Sequence, residues 1–207
     1  MTILPVDGAS PDARAFAAAL EVLHAGGIAA YPTDTLYALA VDPRRDAAVE
    51  RLFQVKGRAA DIAIPLIAGS VEQAARAGRL GKPELRLAAA LWPGPLTLVV
   101  PAVDALSRRV LAGGTTVAIR VPAHPVARAL AAAFGFCITA TSANISGQRP
   151  AITADNVVAA LDDRIDVIVD GGPAPGGLPS TIMEITTGGP RLIRAGAIAW
   201  KRVLESL

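Results

Sequence analysis

Sulfur, imidazole and aromatic rings are scarce in this sequence: one cysteine, two histidines, and aromatic side chains at only 4% of the residues. A lone cysteine, Cys137, excludes an internal disulfide and any cysteine-rich metal site. It sits in an apolar stretch and reads as a small buried hydrophobe rather than a nucleophile. His24 and His124 are far apart in the sequence, so they offer no paired metal ligands. His124 directly precedes Pro125, which suits a capping or packing role at a helix start. So few rings argue against a surface built to stack single-stranded bases. No apolar run reaches the length of a membrane span, because glycine, proline or charge interrupts each one. The N-terminal MTILPVDGASPDAR lacks the basic segment and apolar core of a secretory signal. These absences lead us to expect a soluble cytoplasmic protein with no membrane partner. GxSxG, GxxxxGK[ST] and GxGxxG are missing as well, which leaves hydrolase-elbow, P-loop and Rossmann readings without support.

What is present suffices for a core. Of 207 residues, 52% are hydrophobic and 18% charged, so one compact domain over residues 1–207 is expected. The formal net charge is only +2, with no dense basic run. Most of the cations are arginines, and arginine is the better fork for carboxylate and phosphate.

Apolar periodicity alternates between helix-like and strand-like segments, which predicts an α/β domain with a twisted mixed sheet flanked by helices. Ser10-Pro11 reads as the start of a helix over Ala13 to His24, stopped at Gly26-Gly27. Asp46 to Val55 carries Val49, Leu52 and Phe53 on one face, with Gly57 as its stop. Ser70 with Gln73 offers a capping box. Pro83 and Pro125 open two further helices, to Trp92 and Phe134, and others cover Thr153 to Leu161 and Ile198 to Leu207. Strands are expected at Ile28–Tyr31, Ile64–Ala68, Leu96–Val100, Val117–Val121, Phe136–Ala140 and Asp166–Val169. Thr181–Ile185 and Arg191–Arg194 read as a hairpin. GGPAPGGLPS at 171–180 is expected to be a loop within the domain rather than a linker.

Polar groups gather just past three of these strands. Ile28–Tyr31 runs into Pro32-Thr33-Asp34-Thr35, Val117–Val121 contains Arg120, and Phe136–Ala140 runs into Thr141-Ser142-Ala143-Asn144. Strand ends of open α/β sheets are where ligands usually bind, although such residues also cap helices and close turns. Arg120 interrupts an apolar strand; it points either to solvent at a sheet edge or into a cavity where it needs an anion. Lys56-Gly57-Arg58 places two cations at a helix C-terminus. The helix dipole favours them there as an exposed end, and the glycine turn would equally allow a phosphate clamp.

Taken in order, YPTDTLYAL (31–39), KGR (56–58), WPGPLTLV (92–99), VAIRVPAHP (117–125), TSANISG (141–147), LPSTI (178–182) and LIRAG (192–196) resemble the YrdC-type domain of the threonylcarbamoyl-AMP synthase family. The family's K-x-R and S-x-N signature falls on Lys56, Arg58, Ser142 and Asn144. The resemblance implies a sheet curved around a positively lined cavity. It also implies an activity: L-threonine, bicarbonate and ATP give threonylcarbamoyl-AMP and pyrophosphate. Mg²⁺ would accompany ATP, and no metal ligand would come from protein side chains. Partner proteins would then transfer the threonylcarbamoyl group to tRNA, and RNA binding is possible in the family. Implied nucleotide contacts are Lys56, Arg58, Thr116, Ser142, Asn144 and Arg194, with Lys56 and Arg58 catalytic. Thr33, Arg120 and Ser180 would meet threonine. Many relatives have glycine at Ala38, a basic or amide residue at Ile64, and a histidine near Ala68-Gly69. A chain ending at Leu207 matches the short form of the family. The alternative is a non-catalytic member that binds nucleotide or double-stranded RNA or tRNA.

Overall fold

A computed structural model describes residues 1–57 and 61–207. Its helices start and stop mostly on the signals above. Asp12, rather than Ser10, caps the first helical segment: its carboxylate accepts the Arg14 amide, and a short 3-10 turn (Ala13–Phe16) leads into α1 (Ala17–Ala25). Helix α2 (Asp46–Lys56) stops where Gly57 turns left-handed at φ 56°, a conformation that disfavours a side chain. Ser70 caps α3 (Val71–Ala74) by accepting the Gln73 amide at 3.1 Å. The other half of the expected capping box is redirected. The Gln73 side chain binds the Gly69 amide and the Ala131 carbonyl, so it ties α3 to a neighbouring helix instead of closing on its own cap. Helices α4 (Lys82–Leu91) and α5 (Pro125–Phe134) open at their prolines; α6 (Ala154–Leu161) and the short α7 (Trp200–Leu204) follow.

The mixed β architecture is divided between two sheets. The first runs β1 (Thr2–Pro5), β9 (Val167–Asp170), β2 (Ala29–Pro32), β3 (Tyr37–Ala40) and β8 (Thr141–Ser142). The second runs β11 (Gly189–Arg194), β10 (Thr181–Thr186), β5 (Leu96–Pro101), β6 (Thr116–Arg120), β4 (Leu66–Ile67) and β7 (Ile138–Thr139). Both sheets mix parallel pairs (β1 with β9, β9 with β2, β10 with β5, β4 with β6) with antiparallel ones. The expected hairpin forms, with β10 and β11 antiparallel. Residues 171–180 form the connection from β9 to β10 within this fold.

The single strand expected over Phe136–Ala140 is instead a crossing point between the sheets. Ile138 and Thr139 pair with β4 in the second sheet, whereas Thr141 and Ser142 pair with β3 in the first. Thr139 fixes the crossing. Its hydroxyl accepts the Val41 amide at 2.9 Å and donates to the Leu39 carbonyl at 3.0 Å, and its carbonyl accepts the buried Tyr31 hydroxyl at 2.8 Å. A chain that changes sheets must break its ladder, and these side-chain bonds satisfy the backbone that the break would strand. Helix α5 packs on β2 of one sheet and β4 of the other, so its apolar face (Val126, Ala127, Leu130, Ala131) closes the core over the junction. Cys137 is buried there, and burial pushes its thiol up to about 12.

Candidate active site

Between the two sheets lies a cavity of about 410 Å³, bordered by residues that are far apart in sequence. Thr33, Thr35 and Leu36 come from the turn after β2, Arg120 from the end of β6, Thr141 and Ser142 from β8, and Ser180 and Arg194 from the ends flanking the hairpin. One wall is apolar, formed by Ile62, Pro65, Leu66, Ile67 and Ile182. Among the described residues, the cationic groups that border it are both guanidiniums, Arg120 and Arg194. Burial first, and the neighbouring Arg120 charge second, pull Arg194 below the ordinary arginine value. Two cations that repel each other beside a cavity favour an anion between them.

The Arg120 alternatives resolve in favour of the cavity. The residue is only 7% exposed, and its Nη1 donates to Asp34 Oδ1 at 2.8 Å. Ser180 is held equally firmly. Thr97 Oγ1 donates to Ser180 Oγ at 2.8 Å, and Arg194 Nη2 donates to the same oxygen at 3.2 Å and to the Ser180 carbonyl at 2.9 Å. Both side-chain bonds use the serine oxygen as acceptor, which leaves its own O–H as a donor towards the cavity. Gly196 allows this packing, because a Cβ there would stand 2.3 Å from the Pro179 carbonyl oxygen and 2.5 Å from the Ser180 carbonyl carbon. Thr33 borders the cavity, but its hydroxyl is committed to the turn: it donates to the Leu36 carbonyl at 2.7 Å and accepts the Thr35 and Leu36 amides.

Of the signature residues, Lys56, Ser142 and Asn144 meet one another. Arg58 lies outside the described residues. Lys56 is not the exposed helix end that position alone allowed; it is 2% exposed and points inward. Its ammonium donates to the carbonyls of Ser142 and Asn144 (the latter at 2.9 Å) and lies 3.3 Å from Asn144 Oδ1. The Asn144 amide in turn donates to the carbonyls of Ile145 and Gln148, at 2.9 and 2.7 Å, and Ser146 returns its amide to the Lys56 carbonyl. Lys56 and Asn144 therefore bind the loop after β8 to the end of α2, while Ser142 faces the cavity. The helix ends against loop carbonyls that need donors, and a buried ammonium supplies them. Thr116 does not join the site: it is exposed at the start of β6, opposite Pro101, at the other end of the strand from Arg120. Sequence reasoning placed Asp34 and Thr35 in the polar cluster after Tyr31 but gave them no role, and it missed Thr97. A single hydroxyl inside the apolar run LTLVV was a visible signal for Thr97.

His124 is a packing residue. It precedes α5 without a side-chain cap, and its Nδ1 is buried without a partner among the described residues. Burial lowers its basicity. Among the described residues no group of three or more His, Cys, Asp or Glu could hold a metal ion, and no helix is long and apolar enough to cross a membrane.

Residues 21–196 match the Sua5/YciO/YrdC family model, described as "Telomere recombination". The chain is 38% identical over 189 residues to the threonylcarbamoyl-AMP synthase of Bacillus subtilis strain 168, covering 90% of this chain and 55% of that protein. It is 43% identical over 150 residues to the Halorhodospira halophila protein of the same name, covering 72% and 78%. A crystal structure of Sua5 from Pyrococcus abyssi complexed with L-threonine superposes with a TM-score of 0.93 at 32% identity, covering 100% of this chain and 61% of that one. The chain spans little more than half of the Bacillus relative's length. It belongs to the Sua5/YciO/YrdC family.

Proposed function

We propose that this member of the Sua5/YciO/YrdC family is an L-threonylcarbamoyladenylate synthase, a nucleotidyltransferase acting in the cytoplasm in the modification of tRNA. The observation that carries the reading is the convergence of Arg120, Arg194, Ser180 and Ser142 on one cavity at the sheet junction. Further support comes from the structurally similar Pyrococcus protein, which was crystallised with L-threonine.

In this reading the threonine amine takes up bicarbonate as an N-carboxy group with loss of water. A carbamate oxygen then attacks the α-phosphorus of ATP; the new P–O bond forms as the bond to the leaving pyrophosphate breaks. Arg120 forks the threonine carboxylate, the Ser180 O–H meets the amino acid, and Thr33 shapes the turn beneath it. Arg194 and Ser142 lie along the nucleotide, and Arg58 serves as a cationic partner of the triphosphate. Lys56 and Asn144 act one step back, by fixing the loop that carries Ser142. Charge accumulates on the phosphates, so positioned cations supply most of the rate enhancement. Mg²⁺ neutralises phosphate charge when bound. Among the described residues the cavity lining contains no carboxylate, so the triphosphate oxygens and water would hold the ion. The product passes to partner proteins that transfer the threonylcarbamoyl group to tRNA.

The test is pyrophosphate release from ATP by the purified chain. Release that requires both L-threonine and bicarbonate is expected. Tight binding of nucleotide or double-stranded RNA without turnover would assign the chain to a binding role instead.

A further inference from the structure

Asp34 sits between Thr33 and Thr35, both of which border the cavity, yet it is not itself among the bordering residues. Its carboxylate turns behind them. Oδ1 accepts from Arg120 Nη1 at 2.8 Å, and Oδ2 accepts the Ala123 backbone N–H at 3.3 Å. Both partners of the ion pair are largely buried, with side chains 9% and 14% exposed. One carboxylate thus joins three segments: the turn after β2, the last residue of β6, and the connection into α5.

A guanidinium carries five N–H donors in a rigid plane, so an anion on one edge fixes the direction of the others. We infer that Asp34 is the positioning residue for amino-acid recognition: it holds Arg120 from behind so that the remaining edge of the guanidinium meets a substrate carboxylate. It also offsets one positive charge beside a cavity that already contains Arg194, which sets how strongly the site attracts a single carboxylate. This inference rests on the proposed function, since the carboxylate it concerns is that of the amino acid.

The test is Asp34→Asn in the full chain, which keeps the shape and one acceptor but removes the charge. In the threonine-dependent pyrophosphate assay, KM for L-threonine is expected to rise about tenfold to a hundredfold, as for a misdirected charge-assisted hydrogen bond, while kcat at saturating threonine and KM for ATP stay within about threefold. Asp34→Glu, which keeps the charge, should recover part of the loss. In an Arg120→Gln background, Asp34→Asn should change KM for threonine no further, because its effect passes through Arg120. A threonine KM equal to that of the parent, or additive losses in the double variant, would overturn the inference while leaving the synthase reading intact. Should Asp34→Asn fail to fold, the Asp34→Glu variant and its coupling to Arg120→Gln decide the matter by the same criterion. Absence of threonine-dependent release from the parent chain would remove the synthase reading and this inference with it.

Discussion

Arg120 and Lys56 are both buried cations near the sheet junction, 7% and 2% exposed, and they behave in opposite ways. Arg120 is anchored through one nitrogen by Asp34 and borders open space. Lys56 faces protein, with the carbonyls of Ser142 and Asn144 around its ammonium. A buried charge needs compensation in either case. What differs is whether the protein completes that compensation or leaves part of it to a ligand, and only the second arrangement makes a binding site.

The largest effect expected from this contrast is at Arg120. Arg120→Gln should lower kcat/KM for threonine-dependent pyrophosphate release by about 10²–10³-fold, the range for a charged donor lost from a preorganised site. Lys56→Ala should act on the fold instead. Two carbonyls and the Asn144 side chain lose a buried donor, so the folded state should weaken by about 1–3 kcal/mol, read as a lower midpoint in denaturant titration. If Lys56→Ala keeps its midpoint and loses turnover alone, the two cations belong to one class after all. Ser180→Ala sharpens the cavity side of the comparison: one hydroxyl donor lost should cost about tenfold in kcat/KM with little change in stability.

Acid should act on a third, half-buried group. Burial holds His124 below the ordinary histidine value of 6.5, so the unfolded chain binds a proton more readily than the folded one. The associated stability is complete above that value and is lost as the pH falls below it. The melting temperature of the parent should therefore fall more than that of His124→Gln between about pH 7 and pH 5. The smallest effect is chemical: with its thiol buried and pushed up to about 12, Cys137 should resist alkylation at neutral pH until the chain is denatured.

Much of this was legible in the sequence, for physical reasons that can be named. Helix ends at Gly57, Pro125 and Thr153 were readable because caps and left-handed turns have local chemistry. Arg120 stood out because a charge inside an apolar strand demands an explanation. Strand β3 escaped because Tyr37-Ala38-Leu39-Ala40 is buried throughout and shows no alternation. The split at Ala140 escaped because pairing to one sheet or the other is decided by distant strands. The burial of Lys56 escaped for a related reason: a lysine at a helix end looks the same in sequence whether it points to water or to a neighbouring loop. Asp34 was quoted within its motif, but its role depends on a partner 86 residues away.

The central claim is that substrate is held in the cavity between the sheets. Hydrogen–deuterium exchange of the chain with and without L-threonine, bicarbonate and ATP tests it most directly. Slowed exchange in the segments that carry Thr33–Leu36, Arg120, Ser142 and Ser180 is the predicted result. Protection confined to other surfaces, with these segments unchanged, would contradict it.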